Sequence, residues 1–422
     1  MIAPASIAAM ALWALSILAQ GGIFFFFHAG GGRRSRAVPE AEVPPGPLPG
    51  PLPHVAMIVP LSLADAAASP GLETALRSLI EQEYPDFSVC LATHGNDDPT
   101  TGPATGPAAE LAAKLAAAYA RVRHVEAGEA AGCSQKNRNL LDALDHVHPG
   151  AAVYVFCDAS HRAEPGFLRA LIAPIIRGRA RFSSGYRLSR LNDHAPATVA
   201  FHAINRLLLL LQGIPFLTQP WGGALAADAA AFRELGVREL WARTVVDDSS
   251  LAGLLARGKE RVVFAPAALV RSEAKNVTPA ALGAWWLRQL QYPKFYTPLP
   301  WLGIGALLAW FGLTLSASLA VLLSSLVFAV PGIAVPGITL AAAAHVGLAA
   351  LCQELLRRRI APSCSRREWL AGLGLAAAAS YAGYARAAVK RDIVWRGVRY
   401  VLDREGRVLS VEKTGREAGG VW

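Results

Sequence analysis

The distribution of long apolar runs constrains this chain more than any other feature. Residues 301–330 are nearly free of charge, PGIAVPG (331–337) interrupts them, and a second apolar run over about 338–356 ends at Arg357–Arg359. A third run, roughly residues 3–28, opens the sequence and closes on Phe24–Phe27. About 20 apolar residues suffice to cross a bilayer as a helix. The N-terminal run has no basic residues before it and Arg33, Arg34 and Arg36 after it, which favours an anchor over a secretory signal. Six prolines in PPGPLPGPLP (44–53) then make a stiff spacer that cannot pack a core. The expected organisation is an N-terminal transmembrane anchor (1–32), a basic and Pro-rich linker (33–53), a globular domain (54–298), a transmembrane hairpin (299–360), and a short apolar helix with a basic tail (361–422).

Charge supports the same layout. Hydrophobic residues make up 53% and charged residues 17%, against about 25% charge in a soluble domain, so neither disorder nor a purely soluble fold fits. The net charge is +10, and thirteen of the 41 bases fall in four clusters beside the apolar runs: 33–36, 357–359, 366–367 and 386–399. That placement is the one cytoplasmic membrane flanks adopt, and it excludes nucleic acid as the partner. A multi-pass protein with its globular part in the cytoplasm, at a bacterial inner membrane, is expected. The apolar but short segment 369–385 is expected in the interface, because a third crossing would place the basic tail outside. Five scattered cysteines form no C-x-x-C pair, which argues against a disulfide framework or structural zinc.

Within 54–298, VAMIVPL (55–61), FSVCLATH (87–94) and VYVFCD (153–158) read as buried strands. Helical stretches at 72–80, 107–120 and 166–176 separate or follow them. Strand and helix in alternation predict an α/β domain with a mostly parallel sheet. Ligands of such sheets sit at the carboxyl ends of the strands, where Pro60, Asp97, Asp98 and Asp158 fall. The apolar run 203–218 is read as a core helix or an interfacial one.

Five constellations carry chemistry, each beside a plainer reading. Asp97 and Asp98 could hold a nucleoside by hydrogen bonds, or belong to a solvated turn. Lys136, Arg138 and Asn139 stand at a helix start, where they could meet phosphate and sugar oxygens or simply face water. Asp158 ends an apolar strand and could carry Mg²⁺ or Mn²⁺ bridged to a diphosphate, or cap a helix. Gly222 and Gly223 permit close approach to a substrate. Asp247 beside Asp248 should leave at least one acid with a raised pKa, as a general base needs; acids at a helix start are the alternative. The segment WWLRQLQYPK (285–294) offers Arg288 and Lys294 as diphosphate cations, or an aromatic belt at the membrane surface.

In order and spacing these segments resemble the ceramide glucosyltransferase-like branch of glycosyltransferase families 2 and 21, over about 54–300. LETALRSLIEQEYPDFSVCLATHGNDDP (72–99) is similar to that family's first block, with its first aspartate at Asp98. SQKNRNL (134–140) resembles its nucleotide-contacting segment, CDAS (157–160) its second aspartate motif, and Asp248 its third aspartate, the base. RQLQY (288–292) stands where the family carries (Q/R)xxRW. Ser160 replaces a second aspartate, and Gln291-Tyr292 replaces Arg-Trp, leaving Lys294 as the substitute cation.

The resemblance implies a GT-A (Rossmann-like) domain and inverting transfer from a UDP-sugar, UDP-glucose or a related UDP-hexose, to the hydroxyl of a membrane lipid such as ceramide. It assigns Asp248 with Asp247 to catalysis and Asp158 to a divalent cation. Pro60, Asp97, Asp98, Lys136, Asn139, Gly222, Gly223, Arg288, Gln289, Gln291, Tyr292 and Lys294 fall to the nucleotide-sugar. Competing readings are a processive polysaccharide synthase, a hopanoid or diacylglycerol glycosyltransferase, and a non-catalytic membrane scaffold.

Overall fold

The computed structural model describes residues 13–18, 48–62, 71–94, 106–327 and 336–414. Asp97 and Asp98, and most of the N-terminal apolar run, lie outside these residues.

An eight-stranded sheet organises the body. Its strands are β1 (Val55–Leu61), β2 (Phe87–His94), β3 (Val122–Ala127), β4 (Val153–Cys157), β5 (Arg162–Ala163), β6 (Phe182–Leu191), β7 (Ala224–Asp228) and β8 (Val262–Ala274), in the order β3-β2-β1-β4-β7-β6-β8-β5. The first four are mutually parallel; β7 runs antiparallel to both β4 and β6. The expected α/β sheet is therefore present, and it is mixed rather than parallel throughout.

Every residue of β1 is buried, because helices cover both faces. Val55, Met57, Val59 and Leu61 point to one layer, built with α1 (Leu72–Ile80), α2 (Pro107–Ala118) and α4 (Phe167–Ile176). Ala56 and Ile58 point to the other, built with α3 (Gln135–Leu144), α6 (Ala229–Glu234), α7 (Val237–Trp241) and α8 (Asp247–Arg257). The alternation is the two-residue period of a strand. Each large aliphatic side chain so buried contributes about 1.5–3 kcal/mol.

The apolar run after residue 196 forms α5 (Pro196–Gln212), a core helix with twelve buried residues. It packs against β6 and against α12 (Arg366–Val389), where Gly372 is required: a Cβ there would stand 2.5 Å from Val199. α12 also lies along α9 (Pro279–Tyr296), with Trp286 donating to Ser380 Oγ at 2.9 Å. The 369–385 segment thus has protein on two sides. It leads into a three-stranded antiparallel sheet, β9 (Asp392–Trp395), β10 (Val398–Leu402) and β11 (Val408–Lys413), that docks on the end of α9 through Tyr292, Phe295 and Tyr296.

Among the described residues, two helices are long and apolar enough to cross a membrane: Pro298–Leu326 within α10 (Pro298–Val327) and Gly337–Ile360 within α11 (Pro336–Ile360). At 1.5 Å per residue each is longer than the ~30 Å hydrocarbon core. Leu302, Leu307, Leu313 and Leu323 lie exposed on α10. The inner side is polar and paired: His345 meets Ser318 Oγ at 2.9 Å and Ser16 Oγ at 3.0 Å, which brings the helical residues 13–18 into the bundle. Both ends of the hairpin return to the body: α10 follows α9, and the Ile360 carbonyl is held by His202 Nε2 of α5 at 2.7 Å.

Candidate active site

A buried cluster of charge forms at the carboxyl end of β4, assembled from four separate segments. Asp158 follows β4 directly. Lys136 stands in the first turn of α3, which Ser134 caps by accepting the Asn137 N–H at 3.1 Å. Gly222 and Gly223 precede β7, the antiparallel neighbour of β4. Asp247 and Asp248 open α8, where the helix N-terminus favours acids. Asn137 fixes these parts together: its Nδ2 donates to the carbonyls of Trp241 (3.1 Å) and Thr244 (2.8 Å), binding α3 to the turn ahead of α8.

Lys136 Nζ lies 3.0 Å from Asp158 Oδ1 and 3.1 Å from Asp247 Oδ1. Asp248 Oδ2 accepts the Gly222 N–H at 3.1 Å, and Asp248 Oδ1 the Ser249 N–H at 2.5 Å. Asp247 Oδ2 is buried without a hydrogen-bond partner. Glycine is demanded at 222, since a Cβ would come within 2.0 Å of Asp247 Oδ2 and 2.9 Å of Lys136 Nζ.

The electrostatics divide the acids by role. Burial works against the charge on Lys136, but Asp158, Asp247 and Asp248 outweigh it and hold the ammonium protonated. Burial likewise works against the charge on Asp158, and Lys136, His161 and Arg187 outweigh it, so this carboxylate stays well below the usual range. Asp248 goes the other way: burial first, and Asp247 next, push it up to about 6. Two acids with protonation equilibria driven apart in one pocket is the pattern of a site that handles protons.

The sequence pattern did not mark His161 and Arg187. His161 Nε2 is 3.9 Å from Asp158 Oδ2, its Nδ1 is buried without a partner, and burial followed by the Arg187 charge lowers it to about 4. It is therefore a neutral ring at ordinary pH. Arg187 of β6 lies over the Trp221 ring, 5.1 Å from its centroid, with Nε buried and unpartnered. The D-x-x-H spacing was the one sign of His161; Arg187 had none, because β6 reaches the site only through its pairing with β7.

The other anticipated residues divide. Pro60 is buried at the end of β1. Tyr292 is close enough to feel Asp248 and Lys136. Burial raises its hydroxyl most and the Arg288 beside it opposes, while Arg288 Nε itself is buried and unpartnered. Three residues are directed elsewhere. Asn139 donates to the carbonyls of Leu61 (3.1 Å) and Ala92 (3.3 Å), tying α3 to the ends of β1 and β2. Gln291 donates to the Asp392 carbonyl at 2.7 Å. Lys294 donates to the carbonyls of Ala387, Ala388 and Lys390 at 2.6–2.9 Å, so it satisfies the C-terminus of α12 rather than replacing the missing cation. Besides Lys136, Arg187 also lowers the Asp158 carboxyl. Gln289 is half-buried on α9.

The family model described as glycosyl transferase family 21 matches residues 12–201. The protein is a glycosyltransferase. The matched segment of this glycosyltransferase contains Lys136 and Asp158 and stops short of Gly222 and Asp248, which the fold brings beside them, and of Arg288. No curated protein matches the chain. Among solved structures, a mannosyltransferase from Pyrobaculum calidifontis (PcManGT), in complex with GDP-Man and Mn2+, is 17% identical, with a TM-score of 0.46, 90% of this chain and 99% of that chain being covered.

Proposed function

We propose that this glycosyltransferase moves a hexose from a UDP-sugar to the hydroxyl of a membrane lipid, ceramide or a lipid of similar build, with inversion at the anomeric carbon. The observation that carries the reading is the split of the buried acids: Asp158 held ionised by Lys136, and Asp248 near neutrality at the Gly222 backbone. Asp248 takes the acceptor's proton as its oxygen bonds the anomeric carbon and the bond to the diphosphate breaks on the opposite side. Lys136, Arg187 and Arg288 supply positive charge for the leaving diphosphate. Gly222, lacking a Cβ, lets Asp247 and Lys136 close up against its backbone and so keeps the charged cluster together.

The donor set suits a divalent cation. Asp158 offers one carboxylate oxygen, and Nε2 of the neutral His161 ring lies 3.9 Å from the other. Among the described residues no three His, Cys, Asp or Glu side chains gather in one place, so the other ligands would be diphosphate oxygens and water, as is usual for Mg²⁺. When bound, such an ion neutralises charge on the departing diphosphate.

The exposed apolar hairpin supports a lipid acceptor. We read it as crossing the bilayer, with both ends on the side of the catalytic body, which the basic flank at 357–359 makes cytoplasmic. A lipid leaves the bilayer at about 0.8 kcal/mol per exposed CH₂, so the enzyme must meet it at the surface. Membranes containing the protein, incubated with a panel of labelled nucleotide-sugars and extracted for mass spectrometry, should yield one labelled lipid of fixed size. A labelled polymer, or label found only in free sugar, would overturn the reading.

A further inference from the structure

A second cavity of about 780 Å³ lies away from the Lys136 cluster, between β6, β8, α4, α5 and the foot of the hairpin. Five guanidinium groups line it, from Arg169, Arg190, Arg206, Arg271 and Arg359. Against them stand two carboxylates, Glu83 and Glu164, and Glu164 is already paired with Arg271 at 2.5 Å. Guanidinium groups thus outnumber carboxylates among the lining residues. His202 adds no positive charge, since burial lowers it to about 4 while its Nε2 holds the Ile360 carbonyl and its Nδ1 meets Ser189 Oγ. Arg169 Nε is buried without a hydrogen-bond partner, an arrangement whose cost an anion would remove.

The position restricts the anion. One wall is the last turn of α11 and the residues after it, Arg359 to Ser363, where the hairpin leaves the hydrocarbon. Leu188, Leu191, Leu269 and Ile360 give the same cavity an apolar side. The volume exceeds what a bare phosphate fills and accommodates a phosphate with its glycerol. We infer that this cavity binds the headgroup phosphate of an anionic phospholipid, drawn from the leaflet at the hairpin foot. Guanidinium groups suit phosphate oxygens by geometry as well as charge, and the apolar side takes the first carbons of the acyl chains. The inference rests on the hairpin crossing a bilayer but not on the transferase reading.

The test uses the full chain in vesicles of phosphatidylcholine with one fifth phosphatidylglycerol, followed by mild extraction and native mass spectrometry. Wild type should retain one phosphatidylglycerol per chain in preference to phosphatidylcholine. The pair Arg190→Gln and Arg206→Gln should lower that retention at least tenfold, with Arg190→Lys keeping most of it. Arg367→Gln, an exposed base outside the cavity, should change nothing. Equal loss in Arg367→Gln would mean diffuse surface attraction and overturn the site. So would undiminished retention by the double variant. If that variant fails to fold, the preference of the wild type decides: equal retention of both lipids refutes the inference. Inorganic phosphate that binds detergent-purified protein at millimolar levels and blocks lipid retention would assign the cavity to a free anion instead. Recovery of wild type in vesicles of phosphatidylcholine alone tests the hairpin separately.

Discussion

The two halves of the catalytic body reach the same pocket by different means. In the first half, residues 54–158, apolar strands run parallel under helices, and β4 delivers Asp158 at its end. In the second half, residues 159–296, the sheet turns mixed, and the site residues come from a loop (Gly222), a helix start (Asp248) and mid-strand (Arg187). The first half positions by strand direction, the second by tertiary contact. Residues in the second half therefore depend on partners far away in sequence. The two halves meet at Lys136, which the first half places and whose carboxylates lie 22 and 111 positions on, at Asp158 and Asp247, whereas Lys294 closes the end of a helix some 93 positions on, at Ala387.

The largest test of this contrast is Lys136→Met. It strands Asp158 and Asp247 without their cation, and breaking a buried pair from one side costs about 3–5 kcal/mol. Both the melting temperature and turnover should collapse; a stable, active variant would remove Lys136 from the centre of the account. Gly222→Ala comes next. The added carbon would stand 2.0 Å from Asp247 Oδ2, so one of the two must shift by about 1 Å, a misplacement that costs about 10²-fold in kcat/KM; unchanged kinetics would show that the pocket has slack.

Asp247→Asn is subtler. With Asp248 raised to about 6, log kcat/KM should climb with pH and level off above about 6, because the base must be ionised. Between the ordinary carboxylate value and about 6 the native state keeps a proton that the unfolded chain has released. This group's contribution to stability therefore falls as pH rises through that window. Removing the Asp247 charge should move the acid limb of the rate profile downward. Burial, the larger cause, stays, so the limb should remain above the ordinary value. A limb that does not move would separate the two acids. Lys294→Met should be mildest, lowering stability by about 1 kcal/mol through the lost carbonyl contacts while leaving kcat unchanged; a large loss of kcat would return Lys294 to the diphosphate.

The sequence made the first half legible because a strand buried on both faces reads as a short unbroken apolar run: 55–61 and 87–94 stand where the pattern put them, and the strand expected over 153–158 ends one residue earlier, at Cys157. Asp158, Asp248 and Gly222 were visible as chemistry at ends and turns. β6 was not, since FSSGYRLSRL alternates polar groups that find partners only after folding, Ser184 Oγ accepting the Trp221 N–H among them. Asn139 and Gln291 looked like ligands for the same reason. An amide aimed at a backbone carbonyl, 78 residues earlier at Leu61 or 101 later at Asp392, is indistinguishable in sequence from one aimed at a sugar.

Asp248→Asn tests the central claim most directly, with donor binding followed by calorimetry and lipid transfer followed in a single turnover. The amide keeps the side chain's shape and removes its capacity to take a proton. Donor affinity within about twofold of wild type, with transfer slowed about 10³-fold, is the predicted result. Transfer at the wild-type rate would contradict it.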